Sequence, residues 1–325
     1  MTGLNHIFNS KVPFLFALLF ISGCGQQAPT PLQIGFNNWI GFQPFYIARD
    51  QGYYDDKVIK LVELNNSTDV MQELRTGRLH AAALTLDETL TMLEEGLELR
   101  VILVTDISAG GDALVARPEY SEVARLRGKK IAVEYTATGA VLLDAALISA
   151  GMTLDDIEIV SCQFDQHIDC YGSADAVVTF EPVKTKLVKQ GANVVFDSSS
   201  IIGRIIDVLI VRKDVLHSHH VAIQELVDGY FQATRILKDD PERAYRVVKR
   251  RTGLSSEELD ISYAGIIVPE RARNRDLFSS GELQAQTQKL IDVMLDKELL
   301  SETVSIKALF DARFKTLFDA RFLAE

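Results

Sequence analysis

From Leu32 onward the chain repeats one unit: a short apolar run, a polar loop, an amphipathic stretch and a glycine. "LQIGF" reads as a strand, "NNWIGFQP" as the loop after it, and "FYIARDQ" as a helix stopped at Gly52. Glycine takes the left-handed cap conformation without a side-chain penalty. The unit recurs as "KLVEL", then "DVMQELRT" with Ser67 as its cap and Gly77 as its stop. It recurs again as "HAAALTL", "DETLTMLEE" and Gly96, leading into the strand "LRVILVTD". After "SEVARLRG" it restarts with "KKIAVEY", the turn "TATG" and the helix "AVLLDAALISA" ended by Gly151. "IEIVSC", "ADAVVTF" and "NVVF" read as further strands with helices between them. From Val221 the helical period dominates, through "IQELVDGYFQATRILK", "PERAYRVVKRR" and "SSEELDISYAG". Strands alternating with helices of this length predict two α/β lobes on parallel sheets with right-handed crossovers, then a helical C-terminal region.

Both ends of the chain carry apolar patterns of another kind. "LFDARF" occurs at residues 309–314 and again at 317–322. Two copies are too few for a repeat architecture, and they read as a terminal helix extended by local duplication. At the other end, residues 12–21 form an apolar run of about ten residues, too short to span a bilayer as a helix. Lys11 is the only formal charge ahead of it, and the first acidic residue is Asp50. That is the pattern of a secretory leader. The run ends at Ile21-Ser22-Gly23-Cys24, which resembles the lipobox of bacterial lipoproteins. The resemblance implies a signal peptide over 1–23, with Cys24 as the lipidated first residue of the mature chain. Residues 24–31, "CGQQAPTP", then form a polar, proline-containing tether. Several acyl chains on Cys24, at about 0.8 kcal/mol per buried methylene, would hold the exported protein on a membrane surface. An ordinary signal peptide with a chance cysteine is the alternative.

Composition narrows the class. Of 325 residues, 47% are hydrophobic and 24% charged, the values of a folded globular chain. The chain carries 34 basic against 45 acidic residues, a net charge of −11, and loss of Lys11 with the leader makes this more negative. Such a balance argues against nucleic acid and against an electrostatic hold on anionic lipid. Beyond Cys24 there are two cysteines, Cys162 and Cys170. In an exported protein they suit either a disulfide or two separate buried thiols. With only His167 between them they lack the ligand spacing of a zinc site. No metal and no cofactor is expected.

Several segments in order resemble the solute-binding proteins of ABC importers, of the nitrate/taurine/alkanesulfonate-type class, and also their thiamine-precursor-binding relatives. They are "NNWIGFQPFYIARDQGYY", "VMQELRTGRLHAAAL" (with His80 where aspartate is usual), "LRGKKIAVEYTATGAVLLDAAL" and "GSADAVVTFEPVKTKLVKQGANVVFDSS". The similarity covers nearly all of residues 32–300. It implies a two-lobed periplasmic-binding-protein fold of the second type, joined by two hinge strands and closing on a small ligand. The crossings fall at "DALVARP" (112–118) and "DVLIVRK" (207–213). Lobe one is then 32–114 plus 212–325, and lobe two 115–211. A monomer is expected, partnered by a permease and its ATPase.

In open α/β sheets, ligands sit beyond the carboxyl ends of strands, beside helix N-termini. The candidates are therefore in the loops after the strands: Asn38 and Trp39, Ser67 and Thr68, Thr85 and Asp87, Ser108 and Asp112, Thr136, Thr138 and Gly139, and Glu181. Each also has a plainer reading. Trp39, the only tryptophan, suits a core plug, while Ser67 and Thr68 suit helix caps. Asp87 and Glu181 suit the first turns of helices. "HSHH" at 217–220 reads as a solvated helix start, and "EEGLELR" and "KRR" as solvated helix faces.

The nominated loops, residues 37–44, 65–70, 84–90, 105–112, 134–141 and 179–182, contain no Lys or Arg. They do contain Asp69, Asp87, Asp106, Asp112, Glu134 and Glu181. A simple inorganic anion is disfavoured there, because a buried unpaired charge costs several kcal/mol. An amine or nitrogen heterocycle fits, with its cationic or donor end at Glu181 or Asp87. A taurine-like zwitterion remains open, its sulfonate on the amides near residues 136–139.

Two rival functions have features that discriminate them. Thiamine-pyrimidine synthases share the implied fold, but they need an iron- and cysteine-rich signature in place of two dispersed cysteines. No "GxSxG" elbow, Walker loop or "HExxH" occurs either. A sensing module fused to its receptor would carry a membrane-spanning and signalling region, and none is read in this sequence. Binding for import is thus expected, with presentation to a separate sensor as the alternative. The lipobox reading is tested by metabolic labelling with a fatty acid. The protein should be tagged, and Cys24→Ser should abolish the tag; an unlabelled wild type released in soluble form would contradict it.

Overall fold

The computed structural model describes residues 30–304. Cys24, most of the tether and both "LFDARF" segments lie outside the described residues. Strands form at or within a few residues of the apolar runs: β1 (Leu32–Phe36), β2 (Ile59–Glu63), β3 (Ala81–Thr85), β4 (Leu99–Ser108), β5 (Asp112–Ala116), β6 (Lys130–Val133), β7 (Glu158–Ser161), β8 (Ala176–Phe180), β9 (Asn193–Asp197), β10 (Ile206–Arg212) and β11 (Ile266–Ile267). Gly52, Gly77, Gly96 and Gly151, read as helix stops, all take positive φ.

The strands build two sheets, one ordered β11-β4-β10-β3-β1-β2 and the other β7-β6-β8-β5-β9. Leaving aside the short β11, both sheets follow one pattern: second strand, first, third, then a strand arriving from the other sheet, then fourth. β1 pairs in parallel with β2 and β3, and β6 with β7 and β8. The arriving strands, β10 and β5, run antiparallel to both neighbours. The sheets are therefore mixed where the pattern predicted parallel ones. A parallel pair needs a crossover helix to return the chain to its starting end, whereas an arriving strand enters directly at the edge between the lobes.

The passages between sheets also differ from the expected ones. β5 lies wholly in the second sheet and β10 wholly in the first, so residues 112–118 and 207–213 are not the crossings. The chain passes between sheets at residues 109–111 and again between Asp197 and Ile206. The first sheet is thus made from residues before 109 and after 205, and the second from residues 112–197. The amides of Ala109 and Gly111 both donate to the Gly265 carbonyl, at 2.9 and 2.7 Å. Ser198 Oγ accepts from the Gly110 amide at 2.7 Å and lies 2.7 Å from Ser108 Oγ, tying the two passages together.

The expected C-terminal helices form over His220–Asp239, Pro241–Thr252, Ser256–Ala264, Arg271–Ser279 and Glu282–Asp296. They cover both faces of the six-stranded sheet, which is why its strands are apolar on both sides. On one face Tyr230 and Phe231 join the cluster of Phe36, Phe45 and Tyr46. On the other, Leu290, Ile291 and Met294 pack with Leu84, Val104 and Val208. No helix among the described residues is long and apolar enough to cross a membrane.

The first passage allows a direct test. A Cβ on Gly265 would lie 2.8 Å from the Gly111 nitrogen and 3.0 Å from its Cα, against backbone that has no rotamer to change. Gly265→Ala is expected to lower stability by about 1–3 kcal/mol, as over-packed sites do. Urea unfolding measures this, and an unchanged midpoint would contradict the close packing of the passage.

Candidate functional site

A narrow cleft lies between the carboxyl ends of the two sets of parallel strands. The first sheet and its helices contribute Asn37, Trp39, Phe42, Ser67, Leu84, Thr85, Glu88 and Asp207. The second contributes Asp112, Glu134, Thr136, Thr138, Gly139, Leu142, His167, Val178 and Phe180, with Ile205 at the second passage. Among the described residues no Lys or Arg lines it.

Helix starts build the polar part of both walls. Thr136 caps the helix Ala137–Ser149, its Oγ1 accepting from the Gly139 amide at 3.2 Å. A Cβ at Gly139 would sit 2.7 Å from the Glu134 carbonyl, so this tight entry needs glycine. Thr85 and Glu88 form a reciprocal capping box at the start of Leu86–Glu94. Asn66, not Ser67, caps the helix Ser67–Arg75, accepting from the Asp69 amide at 2.8 Å. Ser67 is freed to accept from Asn37 Nδ2 at 3.0 Å, inside the cleft.

Trp39 is held by two hydrogen bonds. Its backbone amide donates to Asn37 Oδ1 at 3.0 Å, and its Nε1 donates to both carboxylate oxygens of Asp106, at 3.1 and 3.2 Å. Its ring meets Phe180 of the opposite wall edge-on, with centroids 5.5 Å apart. Phe180 in turn stacks on Phe164 at 4.1 Å. Phe164 and His167 belong to a loop closed by a disulfide between Cys162 and Cys170, whose Cα atoms are 6.4 Å apart. His167 Nδ1 lies 3.0 Å from Thr179 Oγ1.

The electrostatics are unusual. Asp87, Glu88, Asp106, Asp112, Glu134, Glu181 and Asp207 are all buried, although carboxylates are seldom buried unless paired. Desolvation pushes Glu88 and Asp112 up to about 7 and Glu134 up to about 8, and it also raises Asp87. Neighbouring charge adds to this: Asp87 acts on Glu88 and on Asp112, and Glu88 on Glu134. Burial pulls His167 down to about 4, so its ring is neutral at neutral pH. Three lining side chains keep a buried atom without a hydrogen-bond partner among the described residues: Asp112 Oδ2, Glu134 Oε1 and His167 Nε2. Buried polar atoms are usually partnered, and the exceptions here all belong to one cleft wall. Among the described residues no group of three or more His, Cys, Asp and Glu side chains is placed to hold a metal ion.

Of the residues nominated from sequence, Trp39, Ser67, Thr85, Asp112, Thr136, Thr138 and Gly139 line the cleft. Five do not. Asn38 faces Gln43, whose Nε2 donates to it at 3.3 Å, and Thr68 is exposed on its helix. Ser108 is spent on the passage between sheets. Asp87 lies behind the wall, accepting from Thr138 Oγ1 of the other lobe at 2.8 Å. Glu181 is fully buried, accepting from Thr185 Oγ1 at 3.0 Å and from Ser262 Oγ of the other lobe at 3.1 Å. Glu181 and Asp87 are therefore engaged in bonds between lobes, and Glu134 and Asp112 have the free oxygens. The "HSHH" start is also partly packed rather than solvated: His219 is buried, 2.8 Å from the Thr30 carbonyl, with its ring 5.0 Å from that of His80. Sequence reasoning passed over Asn37, Glu88, His167, Phe180 and Asp207 as contacts. Glu88 was recognisable as the third residue of a capping box, but His167 had no local signal at all.

A fold of two α/β lobes with a cleft between them defines a class, and the comparisons agree with it. A family model described as NMT1/THI5 like matches residues 39–244, more than half of the chain, and the chain belongs to that family. The taurine-binding periplasmic protein of Escherichia coli (strain K12) is 24% identical over 186 residues, 55% of this chain and 58% of that protein. The match thus spans little more than half of the relative's length. The alkanesulfonate-binding protein SsuA from Xanthomonas axonopodis pv. citri, solved bound to MOPS, superposes with a TM-score of 0.73 at 16% identity, over 87% of this chain and 99% of that one. The desulfurization enzyme DSZB superposes with a TM-score of 0.65 at 16% identity, over 90% of this chain and 99% of that one. The fold is the two-lobed periplasmic-binding-protein fold that the sequence resemblance implied.

The raised carboxyl groups make a pH prediction. An acid whose folded value lies above its unfolded one holds its proton longer in the folded state, so stability falls as pH rises between the two. For Glu134 that window runs from the ordinary 4.5 to about 8. The ligand-free protein should therefore lose thermal stability between pH 5 and pH 8, and Glu134→Gln should flatten part of that fall. Melting curves across the range measure it, and a midpoint rising towards pH 8 would contradict the burial of these acids.

Proposed function

We propose that this chain is the solute-binding component of an ABC importer, exported and lipid-anchored through Cys24. It captures a small organic cation, an amine or a nitrogen heterocycle, between its lobes and delivers it to a membrane permease. The observation that carries this reading is the lining of the cleft: Glu88, Asp112, Glu134 and Asp207, aromatic rings, and no Lys or Arg. A sulfonate or nitrate site needs positive charge or a ring of free donors, for which arginine is best suited. A cation entering this cleft instead offers N–H groups to the free oxygens of Asp112 and Glu134, and its apolar part meets Trp39 and Phe180. Family membership and the binding proteins among the relatives support capture rather than turnover. What those relatives bind does not transfer with the fold.

Contacts across the cleft support a hinge motion. Thr138–Asp87 and Glu181–Ser262 join the lobes near the cleft, while Lys189–Glu258 at 2.7 Å and Lys297–Asp144 at 3.1 Å join them at the periphery. The exposed ion pairs are worth little, so the buried bonds and the ligand itself would decide between open and closed states. A thermal-shift screen at pH 7 of nitrate, ethanesulfonate, taurine, agmatine, benzamidine and 4-aminopyrimidine tests the reading. A ligand at about 100 times its Kd should add roughly 2.7 kcal/mol. The nitrogen bases should give the largest shifts, reduced in Asp112→Asn and Glu134→Gln. Nitrate or ethanesulfonate giving the largest shift, undiminished in both variants, would overturn it.

A further inference from the structure

The middle of the first sheet brings two acids face to face. Asp207 on β10 pairs directly with Asp106 on β4, and the next pair is Val208 with Val104. Thr105 is thus an extra residue on β4, and its carbonyl is taken by the Tyr230 hydroxyl at 2.6 Å. Such a bulge re-aims the side chains beside it; here it stands next to a carboxyl pair in the interior. Both acids are buried. Gly41 leaves them the room: a Cβ there would lie 2.0 Å from Asp106 Oδ2.

The partners divide the two acids into roles. Trp39 Nε1 donates to both oxygens of Asp106, which favours its ionised form against the burial that raises it to about 7. Asp207 faces Asp106 across the strand pair and is the member that lines the cleft. Two carboxylates in contact away from water cannot both stay ionised without a counter-charge. Among the described residues no cation stands among the main groups acting on the pair. Thr85 of β3 pairs with Asp207 across the sheet, and Asp112 of β5, Glu88 of Leu86–Glu94, Tyr230 of His220–Asp239 and Tyr263 of Ser256–Ala264 act on the pair electrostatically. These groups are neutral or acidic. Lys184 is engaged with the Gly110 carbonyl at 2.8 Å and with Glu181 at 3.4 Å.

We propose that Asp106 and Asp207 share one proton in the ligand-free protein, and that a cationic ligand entering the cleft displaces it. The proposal rests on the cationic reading of the cleft and adds its coupling to pH. The Asp207 O–H bond breaks, the proton passes to a base in solvent, and the ligand's charge takes its place beside two carboxylates. The net charge of the cleft is the same before and after, so the cation is desolvated against a counter-ion already in position. Burial and the facing Asp106 charge both raise Asp207, which favours its protonated form until the cation arrives. Affinity for a cation should therefore rise with pH.

The chain has one tryptophan, and it is bonded to this pair, so its emission reads the pair's protonation in the whole ligand-free protein. Emission should titrate at or above neutral pH, and the transition should vanish in Asp207→Asn, which imitates the protonated acid. An infrared carboxylic-acid band at pH 7, lost in the same variant, is the second readout. Absence of any transition between pH 5 and pH 9, or an unchanged one in Asp207→Asn, would overturn the shared proton. Calorimetry with benzamidine in phosphate and in Tris buffers then counts protons released on binding. About one per benzamidine is expected if the pair ionises fully. Binding without proton release would overturn the displacement while leaving the cationic function intact. Failure of benzamidine and the other nitrogen bases to bind would count against the function, while the tryptophan titration judges the proton by itself.

Discussion

Burying many carboxyl groups with a single nearby cation, Lys184, is the constraint around which the cleft is organised. Seven acids lose water here, and each unpaired charge left in such a place costs several kcal/mol. The protein answers with several different devices. Glu88 is satisfied by its own capping box, Asp87 by Thr138 of the opposite lobe, Glu181 by Thr185, Lys184 and Ser262, and Asp106 by the indole of Trp39. Asp112 and Glu134 keep an oxygen each for something else. Helix starts, a strand bulge and a glycine entry all follow from the need to bring donors or space to these acids.

The same bonds connect the cleft to the motion of the lobes. Both sheets carry the same strand order, and each is completed by a strand arriving from the other. The passages are short and clamped together through Ser108, Ser198 and the Gly265 carbonyl. The hinge closure proposed for the lobes would pivot on this narrow region. Thr138 is instructive, because it lines the cleft from one lobe while donating to Asp87 of the other.

Fold and ligand separate clearly in this protein. The likeness to an alkanesulfonate-binding protein at 16% identity shows the fold alone. It carries no information about which charges line the walls, since function resides in the site rather than in the fold. Here those walls are acidic and aromatic, a different chemistry from one that would welcome a free anion.

Much of the architecture was legible along the chain. Apolar runs bounded by polar loops and glycines marked eight of the eleven strands, and the family resemblance supplied the segments of β5 and β10, though as hinge crossings. The two-residue β11 carried no pattern of its own. The scarcity of basic residues in the loops was equally plain, since composition survives folding unchanged. What the tertiary structure alone decided was direction and company. Strand polarity at β5 and β10 depends on where the chain re-enters a sheet, which no local pattern records. Glu181 and Asp87 looked like ligand contacts because they follow strands, yet packing turned them towards Ser262 and Thr138 of the other lobe. His167 reaches the cleft from a disulfide-closed loop whose Phe164 stacks on Phe180 at the end of β8. Local sequence determines which residues stand at the ends of strands, by hydrophobic period and helix capping. Which of their atoms face a ligand is settled by contacts between residues tens to hundreds of positions apart, and those exist only once the two lobes have met.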